Sequence, residues 1–184
     1  QQDYMMAEGS FQQVLSARPD YAPALVGAGK VQLRLKRYDE AASAYAAGAR
    51  IEGSPTFMPM MAASMKTQGG SRDTARAIYR QMAENSDDSV TRENAKRRLL
   101  QLDALDEIEA IQTAIAKFKN SNSQCPNGWN EILPLMAAEK LPNGRSFRVN
   151  ERNVPVDPSG VQYVYSKTAC DVSLDETQTK IPIR

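Results

Sequence analysis

Arg37-Tyr38-Asp39-Glu40-Ala41-Ala42-Ser43-Ala44-Tyr45-Ala46-Ala47-Gly48 is the stretch that decides the fold, because its pattern occurs once before and once after. Ala7, Ala41 and Ala75 succeed one another at intervals of 34 residues; Phe11, Tyr45 and Tyr79 keep that interval, as do Tyr4 and Tyr38. A period of this length suits one helical hairpin per repeat. Each alanine precedes its ring by four positions, so both lie on one helix face, one turn apart. The small residue lets a neighbouring helix approach, and the ring fills the space beside it. The first half of the chain is therefore expected to be a helical repeat array.

Working outward, residues 1–17 read as the second helix of a repeat whose first helix is not in this sequence. Tyr4, Ala7, Phe11 and Leu15 are expected to face inward, and Pro19 closes the turn. The complete repeat comprises helices over 22–35 and 38–51. Its inward residues are Leu25, Ala28 and Gly29, then Ala41, Tyr45, Gly48 and Ile51. Gly29 costs a helix about 1 kcal/mol relative to Ala, so a close crossing is expected there. Ser54-Pro55 reads as an N-cap and first-turn proline. A further pair of helices is expected over 56–67 and 72–84, with Met58, Met60, Met61 and Met65 as core or gap-filling residues or, alternatively, as a soft surface for a ligand.

Residues 1–84 resemble tetratricopeptide repeat (TPR) proteins at motif level, with Leu25 where the family usually carries an aromatic and Gly53 where it carries a closing proline. The resemblance implies a concave face, made mainly by first helices, that holds a peptide or partner helix. By position, that groove would present Val26, Lys30, Leu33 and Arg34, followed by Phe57, Met60, Ser64 and Thr67. Lys30 and Arg34 lie one turn apart and suit acidic groups, or else form an ordinary solvated face. Val26 and Met60 stand at two positions where carboxylate-clamping TPRs need Asn and Lys, so that clamp is not implied.

The totals exclude several classes of function. The chain has 184 residues, with 23 basic against 22 acidic, so nothing drives binding to nucleic acid or an anionic membrane. It has no histidine, which removes the usual general base and metal ligand. Two cysteines do not build a zinc site, and no phosphate-binding glycine loop occurs. Asp106, Glu107 and Glu109 read as a wet helix face. No catalytic constellation and no cofactor are expected. No run approaches the roughly 20 apolar residues of a membrane span, so membrane attachment would come only through a segment absent from this sequence. A homo-oligomer remains compatible with it.

Residues 85–105 are expected to cap the array and connect it to a separate α+β unit over 106–184. A long amphipathic helix over 90–119 carries Leu99, Leu102, Leu105, Ile108, Ile111, Ile115 and Phe118. A short helix follows over 129–139, with Trp129, Ile132, Leu133 and Met136 inward. Strands are expected over 147–149, 161–165 and 171–174.

Here Cys125-Pro126-x-x-Trp129-x-x-Ile132-Leu133 precedes Val154-Pro155-Val156-Asp157-Pro158-Ser159-Gly160-Val161-Gln162-Tyr163-Val164-Tyr165. This resembles the soluble domain of type II secretion pseudopilins and type IV pilins, in which Asp157-Pro158 and Gly160 would shape a turn. Tyr163 and Tyr165 would share a strand face against the helix. The apolar N-terminal stem and a calcium loop are missing from the match, so the pattern is nearer to an envelope accessory module than to a pilus subunit. Cys125 and Cys170 either pair or are unrelated small residues. Pairing is the expectation, and it would place the protein outside the cytoplasm.

The sequence reading is thus a mainly α fold: a TPR helical-hairpin array followed by a small α+β, pilin-like domain. Its expected function is a non-catalytic, periplasmic or otherwise extracytoplasmic scaffold of the bacterial envelope. The rival readings are a pseudopilin-like assembly subunit, the regulatory tail of a larger membrane enzyme, and a cytoplasmic adaptor.

Overall fold

The structure, a computed structural model, describes residues 2–183. It is mainly helical, with a small two-hairpin sheet region at the C-terminal end. The elements are α1 (Gln2–Ala17), α2 (Ala22–Arg34), α3 (Tyr38–Gly48), α4 (Met58–Gln68), α5 (Arg72–Asn85), α6 (Ser89–Asn122) and α7 (Trp129–Met136). They are followed by β1 (Arg148–Val149), β2 (Pro155–Val156), β3 (Val164–Ser166) and β4 (Asp171–Ser173). The chain divides into two compact units, the first ending at Lys96 and the second beginning at Arg97.

In the first unit α1 packs on α2, α2 on α3, α3 on α4 and α4 on α5. Three glycines show how closely the helices meet. A Cβ on Gly29 would lie 2.8 Å from the Tyr45 ring, and one on Gly27 would lie 2.3 Å from the ring of Phe11. One on Gly48 would sit 1.9 Å from Met58 Cε. Each glycine gives up helix propensity so that a large side chain of a neighbouring helix can occupy its missing volume. The core gathers Leu25, Ala41, Ala42, Tyr45, Met58, Ala62 and Met65. Met58 and Met65 are fully buried, each contributing about 1.5–3 kcal/mol by its removal from water.

Two local expectations fail. Tyr4 is 42% exposed and α1 has no buried residue, because α1 stands at the end of the series and α2 covers one face of it. Ser54-Pro55 does not cap α4. The chain turns at Gly53 (φ 74°), Pro55 accepts a hydrogen bond from Met58 N at 3.1 Å, and Pro59 takes the first-turn position of a helix beginning at Met58.

In the second unit Ile111, Ala114 and Ile115 of α6 pack with Ile132 and Met136 of α7 and with Tyr163 and Val172. The strands form two separate antiparallel pairs, β1 with β2 (Arg148↔Val156) and β3 with β4 (Val164↔Ser173), and an isolated bridge links Val156 to Gln162, just ahead of β3. β2 was not expected; its Pro155 lacks the N–H a longer ladder would need, which keeps the strand to two residues.

The turn after β2 is built on Asp157. Its Oδ1 accepts hydrogen bonds from Ser159 N at 2.7 Å and Val161 N at 3.0 Å, and Gly160 supplies the left-handed residue (φ 89°). Its Oδ2 accepts from Thr179 Oγ1 at 2.6 Å, which fastens the C-terminal segment to the turn. Cys125 and Cys170 form a disulfide, with their Cα atoms 5.6 Å apart. It ties the loop before α7 to the β3–β4 turn.

Candidate functional site

The first unit carries an open groove of about 900 Å3 lined by Tyr4, Lys30, Val31, Leu33, Arg34, Lys36, Tyr38, Tyr45, Phe57 and Met61. That volume lies within the usual range for ligand sites, about 300–1,000 Å3. Its wall is aromatic and aliphatic, and its charge is entirely positive. Phe57, 46% exposed, offers its ring to solvent immediately before α4. Lys30 and Arg34 are exposed on α2, and among the described residues no carboxylate lines the groove.

Of the residues expected at a partner-binding face, Lys30, Leu33, Arg34 and Phe57 come together here. Val26, Met60, Ser64 and Thr67 do not line the groove. Val26 packs half-buried against the core, and Thr67 Oγ1 turns back to donate to Ala63 O at 3.0 Å. On α4 the residue that reaches the groove is Met61, one position past Met60, a rotation of about 100° around the helix. Tyr4, Lys36 and Tyr38 were not anticipated. The recurrence of Tyr4 at Tyr38 is a sequence signal for two of them.

The acidic residues close by are already engaged. Arg37 bridges Glu8, at 2.7 Å, and Glu40. This pairing, with Glu40 as its larger part, raises the Arg37 guanidinium pKa and lowers that of the Glu40 carboxyl. Lys66 Nζ reaches Asp39 Oδ1 at 2.7 Å. A second concavity in the unit, about 750 Å3, is lined by Ala46, Pro59, Ala62, Ile78 and Met82, with Asp87 and Asp88 at its edge. Asp88 is occupied as a helix cap, accepting from Thr91 N at 2.8 Å. Arg50, Asp87 and Asp88 give that concavity charge of both signs, whereas the charged residues lining the α1–α4 groove are all cations.

The second unit holds a different concentration of charge. Asp106 and Glu107, read from sequence as a wet face, are buried, and only Glu109 of the three is exposed. Tyr163 Oη donates to Glu107 Oε2 at 2.8 Å, and Arg148 Nη2 and Arg145 Nη1 donate to Oε1 at 3.2 and 3.3 Å. Arg145 also reaches Asp106 at 3.2 Å and Asp103 at 3.4 Å. Burial pushes the Glu107 carboxyl up despite these donors, and burial with the adjacent carboxylate pushes the Tyr163 phenol up strongly. Every oxygen of Glu107 has a partner, so the cluster fastens α6 to the segment before β1. Tyr165 packs against the same core cluster as Tyr163; its hydroxyl donates to Pro126 O at 2.7 Å and its ring lies 5.9 Å from Trp129.

Among the described residues no group of His, Cys, Asp and Glu could hold a metal ion, and no helix is long and apolar enough to cross a membrane. No protein-family model, curated protein or solved structure matches the chain.

Proposed function

We propose that the protein is a non-catalytic scaffold of the bacterial envelope, whose TPR-type first unit holds a segment of a partner protein in the α1–α4 groove. The observation that carries this reading is the convergence of Lys30, Leu33, Arg34 and Phe57 on one open concavity of about 900 Å3. Phe57 and Leu33 supply apolar contact and the cations supply orientation, the division of labour found at interaction hot spots. Helical hairpins repeated at the 34-residue period support the TPR assignment. The turn on Asp157 and Gly160, with a helix, a short helix and hairpins in that order, supports a pilin-like second unit. The disulfide supports an extracytoplasmic location, since such bonds persist where the compartment is oxidising.

Site-specific photocrosslinking tests the reading. A photoreactive amino acid replacing Phe57 should capture a discrete protein in intact cells, whereas the same group replacing exposed Val14 on α1 should not. Equal capture from both positions, or from Val14 alone, would remove the groove as the working surface.

A further inference from the structure

We infer that the segment bound in this groove is acidic: an extended stretch of a partner protein carrying Asp or Glu beside an apolar anchor. The inference rests on the groove reading above and adds the chemistry of the occupant. Three cations, Lys30, Arg34 and Lys36, line the same concavity, and among the described residues none of their side chains has a hydrogen-bond or ion-pair partner. Suitable carboxylates are near in sequence, but Arg37 holds Glu8 and Glu40, and Lys66 holds Asp39. In a chain of net charge +1, three unpaired cations in one concavity are a local segregation of charge, not a reflection of composition.

Lys36 adds an observation of its own. It occupies the left-handed position that ends α2 (φ 59°), where its N–H bonds to Leu33 O at 3.0 Å and Arg37 N bonds to Gln32 O at 2.9 Å. That is the Schellman arrangement, whose left-handed residue is usually glycine because a Cβ is costly there. A lysine at this position strains the backbone, and the strain places a third ammonium on the groove. An acidic strand would pair with the three cations while its apolar side chain lies among Leu33, Phe57 and Met61. A nucleic-acid strand fits less well, because three cations offer little of the counterion release that drives such binding.

Selection from a phage library of random octapeptides on the intact protein tests this. The expected result is enrichment of Asp or Glu together with an aromatic or aliphatic residue. A selected peptide should bind about tenfold more weakly once its acids become Asn or Gln. Binding should also fall as salt rises from about 0.01 to about 0.15 M, where the screening length drops from about 30 to about 8 Å.

Lys36→Gly gives the sharper readout. It should raise the melting temperature by relieving the left-handed residue and still weaken the acidic peptide severalfold, a split that a purely structural role would not produce. Enrichment of neutral or basic peptides would overturn the acidic assignment and leave the groove reading intact. A failure to enrich any peptide, or capture of peptides that Leu33→Ala and Phe57→Ala do not affect, would overturn the groove reading itself. Tighter binding of a labelled oligonucleotide than of the acidic peptides would overturn the proposal. So would a concentration-dependent dimer abolished by Lys30→Gln/Arg34→Gln, which would assign the groove to a second copy.

Discussion

The two units use the same residue types for opposite ends. In the first, the side chains of Lys30, Arg34 and Lys36 line an open groove with no partner among the described residues, and the core behind them is apolar, from Leu25 to Met65. In the second, Arg145 and Arg148 are turned onto buried Glu107, with Tyr163 completing the carboxylate's hydrogen bonds. Cations left in water cost the fold little and are free for a partner. Cations committed to a buried carboxylate hold elements together and are unavailable. Exposure, not residue identity, separates a binding surface from a fastening.

The contrast can be broken most strongly at the disulfide. Closing a 45-residue separation, it should contribute about 3–4 kcal/mol on the chain-entropy account. Cys125→Ala/Cys170→Ala should lower the second unit's unfolding midpoint and leave binding to the groove unchanged. Next comes Glu107→Ala, expected to cost about 3 kcal/mol, the low end for breaking a buried ion pair, because Arg148 keeps contact with water. Denaturant titration reads it, and Lys30→Ala under the same conditions should stay within about 0.5 kcal/mol of the parent.

Gly29→Ala sharpens the packing side. Helix propensity would gain about 1 kcal/mol, but the new methyl falls 2.8 Å from a fully buried Tyr45 ring. Overpacking of this kind typically costs about 1–3 kcal/mol, so we expect a net loss of up to about 2 kcal/mol in the first unit. Thermal unfolding checks the sign.

The smallest effect is a pH dependence. The Glu107 carboxyl is raised above its ordinary value of 4.5 by burial. Between that value and its folded one, the native state holds a proton the unfolded chain has released, so the second unit loses stability as pH rises through this window. Asp175, lowered by hydrogen bonds from Thr177, acts in the opposite sense and its contribution is lost as pH falls below its ordinary 3.8. Glu107→Gln should flatten the first slope and leave the second.

Much of the helical half was legible because a periodic signal ties each residue to neighbours one turn or one repeat away. Ala41, Tyr45, Ala75 and Tyr79 are all buried as their spacing required, and Gly29 meets a ring as its cost in a helix suggested. What the spacing could not give was rotation: α4 begins at Met58 with Pro59 in its first turn, and Met61, not Met60, lines the groove. Glu107 was misread for a related reason. Amphipathic reasoning sends charge outward on a helix, whereas Glu107 is satisfied by Tyr163, 56 residues away, a pairing no local pattern encodes. The Asp157 turn was readable, since Asp, Pro and Gly constrain only their own backbone. Its tie to Thr179 was not.

Trp129 is the only tryptophan in the chain, and it stands at the start of α7 against Tyr165, within the segment the disulfide closes. Tyr4, Tyr21, Tyr38, Tyr45 and Tyr79 all belong to the first unit, where indole is absent. Excitation at the red edge of protein absorbance therefore illuminates the second unit alone. The molecule carries its own label: loosening of the C-terminal half would shift indole emission, and events confined to the groove would pass unseen at that wavelength.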